Sequence, residues 1–262
     1  MINLNRVNAM VLRYFLYLRH NLDRLSDMFY WPAMDIFVWG LTGLYIASLG
    51  AGGGQTIFVI LTGVVFWIVI WRAQYEINVN LMSEIWDKNL VNIFASPLTL
   101  PEWTLSLLLV GLIKMVLSVA FSAVLTFFLY GFNIFQFGVL LLPAVLSLLL
   151  TGWAAGFVIA GFLMYFGQKI QTLAWTGVAM IWPFSALYYS VSILPDWAQA
   201  VSRFIPPSYV FENMREVIFT GRFAWDKILV SFTLNIFYLI LAIWFFVFMF
   251  KKSRKLGLGR LI

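Results

Sequence analysis

Several ionisable groups in this chain stand at spacings that invite chemistry. Glu84, Asp87 and Lys88 crowd the stretch SEIWDKNLVNIFASPLTLPEW, Ser83 to Trp103, which Glu102 nearly closes. Asp35 and Lys114 each stand alone inside an apolar run, Arg72 and Glu76 are four apart, and Glu212 and Arg215 are three apart. None of these sets makes a catalyst, because an enzyme needs a clustered acid/base or metal constellation. The chain has one histidine, His20, best read as an interfacial polar residue, and no partner set for a metal. It has no cysteine, so thiol catalysis, disulfides and thiolate metal sites are excluded. What remains is electrostatic: ion pairs at membrane depth, or a charged surface offered to a partner.

The elements that must position these groups are membrane helices. Hydrophobic residues make up 63% of the 262, charged residues 11%, and the mean hydropathy is +0.92. A soluble domain carries about a quarter charged residues. The apolar blocks reach the roughly 20 residues that a helix needs to cross a bilayer. The expected fold is all-α, a polytopic membrane protein forming one transmembrane domain over 1–262. Six spans are expected at 30–50, 56–77, 103–131, 137–166, 170–193 and 228–250. The joints are GAGGG at Gly50–Gly54, the Pro97–Pro101 segment, Gly131–Asn133 and Gly167–Lys169, too short for a soluble domain. The net charge of +6 belongs to basic residues flanking spans and does not point to nucleic acid.

Short connections rich in Lys and Arg stay inside. With the N-terminus inside, the inner segments hold Arg6, Arg13, Arg19, Arg24, Lys88, Lys169, Lys251, Lys252, Arg254, Lys255 and Arg260. Both termini are therefore expected in the cytoplasm, in a multi-pass protein of the cytoplasmic membrane. The N-terminal stretch has no uninterrupted apolar core with a cleavage site and is not expected to be a signal peptide. Leu4, Val7, Val11, Tyr14, Leu18, Leu22 and Leu25 recur at helical steps. That pattern predicts an amphipathic interfacial helix over 1–27, with its arginines at the lipid phosphates.

Two polar segments interrupt the spans. Over 83–96, Ser83 reads as an N-cap with Glu84 in the first turn, and Glu84 pairs with Lys88 at i,i+4. Met82, Trp86, Leu90, Ile93 and Phe94 fall on one stripe, and Pro97 ends the helix. A short helix with an acidic face open to a soluble protein is expected, or else a solvated loop helix with no partner. Over 194–227, Trp197, Val201 and Phe204 make a short apolar face, Pro206-Pro207 breaks the chain, Ser208 caps a second helix and Gly221 ends it. Two helices too short to span predict a re-entrant hairpin covered by protein or lining a cavity; an amphipathic cap on the outer leaflet fits the same pattern. Glu212 and Arg215 pair on one face.

These two features resemble the membrane subunits of ATP-binding cassette exporters of the second permease type. The likeness rests on Glu84 followed by Ser96-Pro97-Leu98, and on Leu194-Pro195, Pro207-Ser208, Glu212 and Arg215, in that order and topology. Ile-Pro-Pro-Ser stands where Asn-Pro is commoner in that group, and Trp-Asp-Lys-Asn follows Glu84 where a basic-Gly-Thr run is frequent. The resemblance implies that the helix after span two is a coupling helix, with Glu84, Trp86, Asp87 and Lys88 meeting a separate ATPase. It implies two ATPase copies, a second permease copy as homodimer, contact with membrane lipids, and no cofactor in this chain, since ATP-Mg would bind the partner. The sequence accordingly holds no G-x-x-x-x-G-K-[ST] phosphate loop. The implied cargo is a lipid-linked glycan, a polysaccharide or a hydrophobic drug-like molecule.

Candidates along the path are Asp35, Lys114, Glu212, Arg215 and Tyr188. Asp35 and Lys114 lie in spans that both start inside, so they can meet as a pair; Lys114 snorkelling along a groove is the alternative. Arg72 and Glu76 read as a local ion pair. Gly152, Gly156 and Ala160 form a small-residue stripe for close helix packing within the subunit. Aromatic residues reach 19%, and most belong to interfacial belts or packing. The rival function is an ion-coupled carrier using Asp35 and Lys114, which requires discontinuous spans in two equivalent halves; no internal repeat is present.

Overall fold

The structure, a computed structural model, describes residues 2–50 and 55–258. Most of the GAGGG joint and Arg260 lie outside them. Among the described residues the chain is all helical. Ten α-helices follow in order: α1 (Leu4–Arg19), α2 (Leu22–Ser48), α3 (Gln55–Trp86), α4 (Leu90–Ala95), α5 (Leu100–Tyr130), α6 (Leu141–Phe166), α7 (Thr172–Thr176), α8 (Asp196–Ser202), α9 (Pro206–Thr220) and α10 (Trp225–Leu256). Four helical stretches are long and apolar enough to cross a membrane: Gln55–Trp86, Leu100–Tyr130, Ile134–Ile170 and Trp225–Leu256. α2 has 27 residues, about 40 Å of helix, but Asp35, Pro32 and its Trp and Tyr residues dilute its apolar character.

α3 is the axis of the bundle. Leu61, Val65, Val69 and Ile70 are wholly buried, and α2, α5, α6 and α9 surround it. α6 approaches α3 along the expected stripe. A Cβ on Gly152 would lie 2.5 Å from Ala73 Cβ and 2.6 Å from Ile70 O, so only glycine lets the backbones this close. On its other face α6 meets α10 through a buried polar ladder. Thr151 donates to Asn235 Oδ1 at 2.7 Å, Asn235 donates to Ser147 O at 2.8 Å, and the Ser147 and Ser231 hydroxyls lie 2.7 Å apart. Ser231 in turn donates to Pro206 O at 2.8 Å, which ties the start of α9 to the ladder.

Several boundaries differ from the sequence reading. The interfacial helix does not run over 1–27: it stops at Arg19, and Asn21 caps α2 by accepting from Arg24 N. Val7, Tyr14 and Leu18 are buried as expected, whereas Leu4, in the first turn of α1, and Leu22, beyond the break at His20, are exposed. The stretch 170–193 is no single helix. It is a run of short turns (Gly167–Ile170, α7, Gly177–Phe184, Val191–Ile193) with Pro183 inside, and Ala186 stands at φ 57. The fourth expected span begins as a 3-10 segment, Ile134–Leu140, which is kinked internally at Gly138 with φ 55 and leads into α6. α8 and α9 form the expected pair of short helices, and Gly221 at φ 72 ends α9. Ser208 is not its cap: Pro206 and Pro207 fill the first two positions, whose amides have no partner in any helix. The Ser208 hydroxyl donates instead to Ser202 O and Ile205 O.

Candidate functional site

The crowded segment after α3 divides differently from the expected 83–96 helix. α3 continues unbroken to Trp86, so Ser83 is no N-cap. Its hydroxyl donates to Val79 O one turn back at 2.8 Å and receives Arg24 Nη2. Lys88 turns the chain with φ 55, which removes it from the i,i+4 pair with Glu84, and α4 then occupies only Leu90–Ala95. Thr99 and Glu102 form a capping box that opens α5, with Pro101 in its first turn as expected.

Glu84 is the main correction here. It does not stand on an open acidic face: it is 2% exposed, and Arg13 of α1 grips it with both nitrogens, at 2.7 and 2.9 Å. Asn89 donates to the same carboxylate at 2.8 Å. The Glu84 hydrogen bond pushes the Arg13 guanidinium above its ordinary value. Beside it Tyr14 is buried and receives Trp103 Nε1 at 3.0 Å; burial, with Glu84 near, pushes its phenol well up, so it stays neutral. Glu102 repeats the arrangement at the start of α1, accepting from Asn3 N at 2.9 Å with Arg6 at 3.6 Å. α1 is thus clipped across the α3–α5 corner by two carboxylates. Asp87 and Lys88 remain exposed at its tip, and Trp86, partly exposed, stacks on Trp175 at 5.8 Å.

Deeper in the bundle the ionisable groups form one alternating chain. Arg72 donates to Asp27 at 2.9 Å and stands 3.7 Å from Glu76; Glu76 accepts from Lys114 at 2.7 Å. The four charges sum to zero. Arg72, Glu76 and Lys114 are all buried, which is tolerable only because each has an opposite neighbour. Gly111 makes the room: a Cβ there would lie 3.2 Å from Glu76 Cβ. The predicted Arg72–Glu76 pair is present, as part of a larger set. The predicted meeting of Asp35 with Lys114 does not occur, because Lys114 points at α3 while Asp35 faces a groove on the other side.

That groove runs between α2, α3 and the broken 172–188 segment and encloses a cavity of about 790 Å³. Its walls are mostly rings. Tyr188 lies 6.2 Å from Trp182, and Trp182 stacks on Trp67 at 5.8 Å; Trp39, outside the lining, stacks on Tyr188 at 4.0 Å. Trp71, Tyr75 and the Trp86–Trp175 pair continue towards the α1 end. The charged lining consists of Asp23, Arg24, Asp27, Asp35 and Arg72. Tyr188 and Asp35 were singled out from the sequence and share this cavity; Glu212 and Arg215 do not line it. Those two pair as expected, at 3.0 Å, and brace the turn below: Glu212 accepts from Val191 N, and Arg215 donates to Ala186 O and Tyr189 O. They hold the backbone that carries Tyr188.

Sequence reasoning missed Arg13, Arg24 and Asp27 as partners. Their positions on α1 and α2 were visible as interfacial charge, but nothing local marks an acceptor 71 residues away. One protein-family model, described as ABC-2 type transporter, matches residues 12–219. No curated protein matches the chain.

Proposed function

The chain belongs to the ABC-2 type transporter family and is a multi-pass membrane permease, and from that premise we propose that it is the membrane half of an ATP-driven exporter. Two copies form the pathway, and two separate ATPase subunits bind beneath them and hold the ATP-Mg. The spans number six, α2 and the broken 170–193 segment joining the four long apolar helices. Both termini and the α3–α5 corner lie in the cytoplasm, where the basic residues concentrate. α8 and α9 form the re-entrant hairpin at the opposite side. The cargo is a glycan, a lipid-linked glycan or a hydrophobic drug-like molecule.

The observation that carries this reading is the α3–α5 corner. Asp87, Lys88 and Trp86 project from a turn that Arg13–Glu84 and Arg6–Glu102 fasten to α1. A load on that turn is passed to α1 and along α3, a helix packed against most of the bundle. Glu84 therefore acts by holding the corner rigid, and Trp86, Asp87 and Lys88 make the contact with the ATPase. Neutralisation of Lys114 by Glu76 weighs against an ion-coupled carrier built on Asp35 and Lys114.

The test is affinity purification of the tagged permease from its native membrane. Capture of an ATPase whose turnover falls when Asp87 and Lys88 are both changed to Ala, with the permease still folded, supports the reading. Transport of cargo by the permease alone in sealed vesicles, driven by an ion gradient, refutes it.

A further inference from the structure

The groove's chemistry narrows the cargo. We propose that it binds an organic cation with aromatic or alkyl bulk, held by ring faces and by Asp35. This rests on the groove being the translocation path of the exporter.

Three observations lead there. The cavity, about 790 Å³, falls within the roughly 300–1,000 Å³ of sites that take one drug-sized molecule. Its walls contain a continuous set of rings, Tyr188, Trp182 and Trp67, with successive centroids 6.2 and 5.8 Å apart. Ring faces carry negative potential and attract cations, tryptophan most strongly. The third observation is the charge balance. Both guanidiniums on the wall are engaged by the protein: Arg72 by Asp27, Arg24 by Asn80 and Ser83. Asp35 has no hydrogen-bond or ion-pair partner among the described residues, though it stands thirteen residues into α2, about 20 Å along the helix. Asp35 is exposed to the groove, and a carboxylate without a partner so far along a span is costly once lipid or cargo displaces water there. A cation between Asp35 and the rings supplies the missing charge. A neutral glycan would stack on the same rings but brings no charge to answer Asp35, and an anion would meet Asp35 head on.

Asp35 is a binding residue here, and the rings select for charge delocalised over a large apolar body. A compact, strongly hydrated ammonium ion gains less from such walls than a phosphonium or quaternary ammonium ion.

The experiment uses the full chain in nanodiscs of phosphatidylcholine and measures equilibrium binding of tetraphenylphosphonium, with empty nanodiscs subtracted. Its isosteric anion, tetraphenylborate, reports shape without the charge. The expected result is saturable binding of the cation, at least tenfold weaker binding of the anion, and loss of about tenfold in cation affinity in Asp35→Asn. Asp35→Glu restores most of that loss. Removing a lone charge from the bundle leaves folding intact, which the melting temperature checks. Equal binding of cation and anion, unchanged cation affinity in Asp35→Asn, or saturation by maltoheptaose with no phosphonium binding would each overturn the assignment. No ATPase is present in this assay. Capture of an ATPase without phosphonium binding removes only the cation; phosphonium binding without any ATPase partner removes only the exporter.

Discussion

Glu76→Gln is the sharpest perturbation of the buried charges. Glu76 sits between Arg72 at 3.7 Å and Lys114 at 2.7 Å. Asp27 and Arg72 still neutralise each other in the variant, so the uncompensated charge is that of Lys114, whose side chain is 6% exposed. Removing one partner of a buried pair costs about 3 kcal/mol or more, which is roughly 6–12 °C of melting temperature for a chain of this size. Lys114→Met leaves Glu76 with a share of Arg72 and costs less. The double variant Glu76→Gln/Lys114→Met is neutral again, since replacing both members of a buried pair by groups of similar shape is close to neutral. It should therefore melt above Glu76→Gln alone. The assay is thermal unfolding of the four proteins in one detergent, read as a double-mutant cycle. If the double variant melted at or below the single Glu76→Gln protein, the losses would be additive and the idea of a balanced charge chain would be wrong.

Three further outcomes follow from the geometry. The chain has no cysteine, so a single cysteine can be labelled without background: an impermeant maleimide should modify Asp87→Cys and Lys88→Cys readily, and Glu84→Cys at least tenfold more slowly. Arg13→Ala strands the buried Glu84 carboxylate and should lower the melting temperature, with little recovery in Arg13→Lys, because an ammonium cannot reproduce the two-nitrogen grip at 2.7 and 2.9 Å. Gly152→Val drives a side chain into Ala73 and Ile70 O and should destabilise the α3–α6 contact by about 1–3 kcal/mol, whereas Asn235→Ala, which loses bonds to Ser147 and Thr151, should cost about 1 kcal/mol.

Local chemistry made much of this legible from the sequence. Pro97 announces the end of α4 and Gly221 the end of α9, whereas the capping box of Thr99 and Glu102 was equally local and went unread. Gly152 and Gly156 announce a close helix contact because no other explanation suits two glycines one turn apart. Arg72–Glu76 and Glu212–Arg215 were legible because both partners share a helix. Ser83 misled for a physical reason: a serine that caps a helix and one that bonds back to the carbonyl four residues earlier look alike in sequence. The partners of Glu84 and Lys114 depend on how α1, α3 and α5 are rotated about their axes, and the sequence of one helix does not carry that rotation. The continuity of the 170–193 span failed for another reason. Its apolar run is long enough, but a chain whose backbone groups are satisfied by α3 and α9 has no need to remain one helix; Gln74 reaching Ala174 O, and Arg215 reaching Ala186 O and Tyr189 O, are the visible substitutes.

The clip between Glu102 and the head of α1 also sets an order of events during synthesis. Arg13 is made 71 positions before its acceptor Glu84, and Asn3 is made 99 positions before its acceptor Glu102. At a typical ribosomal pace of about 5–20 residues per second, the nascent α1 waits at the lipid surface roughly 4–14 s for Glu84 and roughly 5–20 s for Glu102. Its exposed leucines are suited to that wait. A truncation between Glu84 and Glu102 therefore leaves α1 held by one clip only, and one upstream of Glu84 leaves it drifting on the bilayer.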